Sequence, residues 1–179
     1  AIHHFNDSQV AAVFGRIQND KRLNDCYSRW RGRHLFREHL PFRKDVHGVD
    51  CLITYAVIMR KKSVVKVGNF NPDLPSCEDI ELGRKLLSNG YKILSDPSLC
   101  CYSIRRENLT SLCIRFNRWF SQDEETFNPL KSFVQSLRTI ATIYLKEDLK
   151  AKDFSSFMIS LSLPFMILLL GILTPDRFR

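Results

Sequence analysis

Residues 68–90 read Gly68-Asn-Phe-Asn-Pro-Asp-Leu-Pro-Ser-Cys-Glu78-Asp79-Ile-Glu-Leu-Gly-Arg-Lys-Leu-Leu-Ser-Asn-Gly90. The stretch begins with turn formers: glycine, asparagine and two prolines. It then delivers two adjacent carboxylates, Glu78 and Asp79, to the start of an amphipathic helix. Ser76 is the expected cap, in an S-x-x-[DE] pattern that lets its hydroxyl take an N–H of the first turn. Ile80, Leu86 and Leu87 supply the apolar side, and Gly90 suits the left-handed position that ends a helix. Tyr91 to Leu94 reads as a strand, Asp96-Pro97 as a turn, and Leu99 to Ile104 as a further strand.

The pattern on either side is also alternating. Upstream, Val10 to Phe14 is an apolar run ending at Gly15, which predicts a buried strand. Leu23 to Leu40 reads as a helix, with Leu23, Cys26, Tyr27, Trp30 and His34 on one stripe and Pro41 closing it. Val49 to Met59 is rich in β-branched and apolar residues and reads as a strand. Arg60-Lys-Lys-Ser63 starts a short helix that ends at Gly68. Downstream, Phe127, Leu130, Val134, Leu137, Ala141, Tyr144 and Leu145 recur at three- and four-residue steps, which predicts an amphipathic helix over 127–149. Phe154 to Leu173 then runs for twenty residues without a charge. At about 1.5 Å per residue it is about 30 Å long, the thickness of a bilayer core. Pro164 and Gly171 are tolerated in such helices, and Lys150, Lys152, Arg177 and Arg179 flank this one.

An apolar fraction of 44% is enough for a packed core and argues against a disordered chain. The net charge of +8 is uneven: Lys21 to Lys62 holds eleven Lys/Arg against four Asp/Glu. A surface of that kind suits phosphate groups, anionic lipid headgroups or nucleic acid. The six cysteines form no CxxC pair, and His3-His4 has no cysteine at zinc-ligand spacing. Cys51, Cys100 and Cys101 sit in apolar runs, which favours reduced thiols and a cytoplasmic setting. The opening at Ala1, inside what reads as the end of a helix with His3-His4 exposed on it, suggests a piece of a longer protein.

Glu78-Asp79 is the first candidate for chemistry. A carboxylate fixed at a helix start can serve as a base, although acidic residues also favour that position electrostatically. Arg115-Phe-Asn-Arg118-Trp119 is the second. Arginine makes bidentate phosphate contacts and an indole offers an apolar face to sugar C–H groups. Arg105-Arg106 is a third, cationic, pair.

The order of these pieces resembles the family-two inverting glycosyltransferases, which have an A-type nucleotide-sugar fold. The resemblance rests on Phe5…Val10-Ala-Ala-Val13-x-Gly15, Val64-x-x-Val67-Gly68-x-Phe70, Glu78-Asp79-Ile-Glu-Leu-Gly-Arg-x-Leu86 and Gly90-Tyr91. It implies an α/β fold: the later strands of a mixed sheet with flanking helices, then an interfacial amphipathic helix and one transmembrane helix. The implied organisation is an acceptor-side catalytic part over 1–120, the amphipathic helix over 121–150, and the membrane segment with its flank over 151–179.

By the same resemblance Asp79 deprotonates the acceptor hydroxyl, and Glu78 helps organise the acceptor site. Arg115-x-x-Arg118-Trp119 resembles the Gln-x-x-Arg-Trp motif of processive members, with Arg115 in place of glutamine. Arg118, Trp119, Arg115 and Arg105 are then the candidate substrate contacts. The implied partners are a nucleotide-sugar donor, a glycan or lipid-linked acceptor and the membrane, with no nucleic acid. A divalent metal, magnesium or manganese, would serve the intact protein, with its main ligands outside this chain and none assigned within it. The competing expectation is a non-catalytic, membrane-anchored basic module that binds anionic lipid or nucleic acid through Lys21–Lys62.

Overall fold

The computed structural model describes residues 1–41, 45–74, 77–120 and 128–174, with side chains in the 109–120 helix only as far as Arg118. The expected Ser76 cap, the start of the amphipathic helix at Phe127, and Arg177 and Arg179 lie outside the described residues. Packing divides the chain into two units, Ala1–Gln18 with Leu40–Ser103, and Asn19–His39 with Ile104–Arg179.

The first unit is α/β. Its mixed four-stranded sheet has the order β2-β4-β1-β3, with β1 Val10–Asn19, β2 His47–Gly48, β3 Val57–Met59 and β4 Lys92–Ser103. β3 runs antiparallel to β1 with Val13 opposite Ile58, and β2 antiparallel to β4 with His47 opposite Ser95. Val10 to Phe14 are all buried, as a central strand requires. The strand does not stop at Gly15 but runs on through it. A Cβ at Gly15 would lie 2.0 Å from the Leu99 carbonyl oxygen, so only glycine lets β1 and β4 approach this closely. Helices α2 (Lys61–Lys66) and α3 (Glu78–Ser88) belong to the same unit, and Leu82 and Leu86 of α3 are fully buried in its core. Gly90, at φ +77°, ends α3 as its position predicts.

Two expected elements differ. Val49–Met59 forms a strand only from Val57, because Leu52 turns inward under α3 and Ala56 takes a left-handed φ of 48° while its carbonyl accepts the Gly15 N–H at 3.0 Å. Asp96-Pro97 is not a turn but the middle of β4. The Asp96 side chain accepts from the Ser98 N–H and hydroxyl at 2.8 and 2.6 Å, and its other oxygen pairs with His4 Nε2 at 2.9 Å. His4 is thereby tucked in rather than exposed. Burial would raise the Asp96 carboxyl, but the Ser98 and His4 bonds hold it down at about 2.

The second unit is helical. Helix α1 (Cys26–His34) is capped by Asp25, which accepts from the Ser28 N–H and hydroxyl at 3.0 and 2.7 Å. It ends at His34, short of the expected Leu40, because Arg37 adopts a left-handed φ of 56° and Glu38 N–H turns back to Gly32 O. The remaining elements are α4 (Leu109–Phe120), α5 (Pro129–Thr139), a π-helical turn over Ile140–Tyr144, α6 (Leu145–Lys150) and α7 (Phe154–Leu173). Trp30, Leu112, Phe116, Tyr144 and Leu163 form the core. Trp30 Nε1 donates to Ser160 Oγ at 2.8 Å, and Ser160 donates to Asp148 at 2.6 Å. Asp148 also receives Arg33 at 2.6 Å and His34 Nε2 at 2.8 Å.

Helix α7 is long and apolar enough to cross a membrane. One face packs inward through Ser156, Ser160, Leu163, Ile167 and Gly171. The other leaves Phe154, Met158, Leu161, Phe165, Leu169 and Ile172 exposed along the whole helix. The 127–149 region is helical from Pro129, but the first part of its apolar stripe does not face the core, and only its end, at Tyr144, does. Ser132, Ser136, Ile140, Tyr144 and Asp148 are buried, while Leu130, Val134 and Leu137 are exposed.

Candidate functional site

Asp79 sits in the first turn of α3, whose preceding residue Cys77 has a left-handed φ of 63° and gives no side-chain cap. The first turn is acidic through Glu78, Asp79 and Glu81, which suits its unpaired N–H groups. Glu81 is engaged by Lys85 at 2.8 Å. Glu78 and Asp79 are half-buried and reach solvent. The Asp79 Oδ1 accepts the Ile80 N–H at 2.9 Å, and Oδ2 accepts the Thr54 hydroxyl at 3.4 Å.

One turn along, Gly83 fixes where the helix lies. A Cβ there would meet both Leu52 N and Leu52 Cβ at 2.9 Å. Leu52 and Thr54 share one loop, so the Gly83 contact sets the distance between Asp79 and Thr54. Thr54 carries no sequence signal. Cys51 and Tyr55, from the same loop, feel Asp79. Partial burial of its thiol, with the charges of Asp50 and Asp79, raises Cys51 although the residue as a whole is exposed. Burial, with Cys101, Cys51 and Asp79, raises Tyr55.

The arginine candidates belong to the second unit. Arg105 and Arg115 meet at Glu107, which the sequence reading did not select. Arg115 donates to Glu107 Oε1 at 2.7 Å, Arg31 donates to the same oxygen at 3.0 Å, and Arg105 Nε lies 3.7 Å from it. Burial would raise the Glu107 carboxyl, but the Ser111 hydroxyl, Arg115 and Arg31 hold it below the usual range. Arg118 is exposed on α4, and the Trp119 side chain lies outside the described residues.

The basic run is less available than its composition suggests. Five of its arginines are paired: Arg22 with Asp20, Arg29 with Asp153, Arg31 with Glu107, Arg33 with Asp148 and Arg37 with Glu147. Among the described residues no group of three or more His, Cys, Asp or Glu side chains is placed to hold a metal ion. All six cysteines are free. No protein-family model matches the chain, and no curated protein matches it.

Proposed function

We propose that this chain is the acceptor-side part of a membrane-associated inverting glycosyltransferase, with Asp79 as the general base. What supports the reading most is one arrangement: a solvent-reaching carboxylate at a helix start, with one oxygen tied to Thr54 and its helix seated by Gly83 on Leu52. A base of this kind must lie within hydrogen-bond reach of the hydroxyl it deprotonates. In the proposed step the acceptor oxygen attacks the anomeric carbon of a nucleotide sugar. The new C–O bond forms as the bond to the nucleoside diphosphate breaks. The electron pair leaves with the diphosphate, and the hydroxyl proton passes to Asp79. Glu78 orients the acceptor beside it. The described residues do not fit a metal site, and no step here runs through one.

The exposed apolar stripe of α7 supports placement at a membrane, and a cytoplasmic setting for the catalytic face rests on the resemblance and on the free thiols. The basic-module alternative is weakened by the pairing of five of its arginines. The direct test is to incubate membranes carrying the full-length protein with a panel of nucleotide sugars and measure nucleoside diphosphate release. Release with one donor, increased by an added acceptor, is the expected result. No release with any donor in the panel counts against the reading.

A further inference from the structure

Helix α7 has the length of a bilayer core, but its packing does not leave it free to cross one alone. Its inner face meets protein from Ser156 near one end to Gly171 near the other. Trp30 of α1 donates to Ser160 at 2.8 Å, and Arg29 of α1 donates to Ser155 at 2.8 Å. Leu163 and Ile167 share a core with Leu112 and Phe116 of α4. Phe133 of α5 meets Phe165, midway along α7, with ring centres 5.6 Å apart. A spanning α7 would therefore draw α1, α4 and α5 into the hydrocarbon with it. Those helices carry exposed charges, Arg118 on α4 and Arg138 on α5. Charged side chains at that depth are strongly disfavoured, and membrane proteins turn them toward a bundle interior or a water-filled cavity.

The exposed residues of α7 fit a different placement. Phe154, Met158, Leu161, Phe165, Leu169 and Ile172 follow one another at steps of three or four, so they form a single face. At 1.5 Å per residue that face is about 27 Å long. The helical stretch leading into α7 exposes Arg138, Lys146, Lys150 and Lys152. Its acidic residues are engaged within the protein, Glu147 by Arg37 and Asp148 by Arg33 and His34. A long apolar face next to exposed cations matches the surface of a bilayer with acidic headgroups.

We infer that α7 lies in the plane of a membrane rather than across it, with its exposed face sunk into one leaflet of an acidic phospholipid bilayer and its inner face kept on the protein. The inference rests on the membrane placement proposed above and is independent of the role of Asp79.

The test uses the full chain with vesicles of phosphatidylcholine, with and without phosphatidylglycerol. A fluorescent amino acid is placed in turn at Phe154, Leu161 and Ile172, all on the exposed face, and quenched by lipids brominated at graded depths. Thermal melts confirm that each variant is folded. In the plane of the membrane all three positions share one shallow depth, about 5–10 Å into the headgroup and acyl boundary. Across the bilayer, Leu161 would sit about 10 Å deeper than either of the other two. Lys146→Gln combined with Lys150→Gln should weaken binding to the acidic vesicles about tenfold or more and leave binding to neutral ones unchanged. A Leu161 probe about 10 Å deeper than its companions overturns the in-plane placement and leaves membrane association standing. Equal binding to neutral and acidic vesicles overturns the acidic-lipid assignment. Absence of binding to either vesicle overturns the membrane placement itself.

Discussion

Gly83→Ala tests how the structure seats the carboxylate helix. On an open helix this change is favourable by about 1 kcal/mol, because alanine is the better helix former. Here a Cβ would sit 2.9 Å from Leu52 N and 2.9 Å from Leu52 Cβ. Backbone nitrogen cannot swing aside as the end of a long side chain can. Leu52 is also fully buried, so the loop cannot back away without opening the core. Overpacking of this kind costs about 1–3 kcal/mol. The two effects oppose, and the contact wins at the upper end of its range, leaving α3 about 1–2 kcal/mol less stable. Native-state hydrogen exchange reads this locally. Amides in the Leu82–Ser88 part of α3 should exchange about 5–30-fold faster than in the parent. Amides of α4, in the other unit, serve as the internal control and should not change. Slower exchange in α3 would mean that Gly83 is merely an exposed helix glycine, and would refute the seating argument.

Asp148→Asn removes a fully buried carboxylate that holds Arg33, His34 and Ser160; the cost should be about 3–5 kcal/mol, read as a fall in Tm on the order of 10 °C. Asp96 is held at about 2 from an ordinary 3.8, so its contribution is present above the unfolded value and is lost as pH falls from about 4 to 2. That contribution is about 2 kcal/mol, and Asp96→Asn should flatten the acid loss measured by urea unfolding. Burial pushes the Cys113 thiol up to about 12, so a maleimide should label it at neutral pH only at the rate at which the second unit opens, while exposed Cys51 reacts in the folded protein.

Much of the first unit was legible from local pattern. The β1 run, the short α2 helix and α3 with Gly90 appear where periodicity and turn chemistry place them. Val49–Met59 misled because its composition suits a strand, whereas its path is set by burying Leu52 under α3, where it meets Gly83, 31 residues away in sequence. Asp96-Pro97 misled because a side chain, not a chain reversal, takes up the Ser98 N–H. In the second unit, periodicity located the stripe on α5 but not the direction it faces. A helix that presents Leu130, Val134 and Leu137 outward and Ser132 and Ser136 inward has the same period as its opposite. At the candidate site, Glu78 and Asp79 were readable from their turn-helix setting. Thr54 and Glu107 were not, because each matters through a contact that only the folded chain creates.

The most direct measurement is the rate of sugar transfer by full-length protein carrying Asp79→Asn, with folding checked by α3 hydrogen exchange. Asparagine keeps the shape and can still accept from the Thr54 hydroxyl, but it cannot take the acceptor's proton. A general base typically contributes about 10²–10⁴-fold, and the account predicts a loss of that size with the fold intact. Transfer at the parental rate would contradict it.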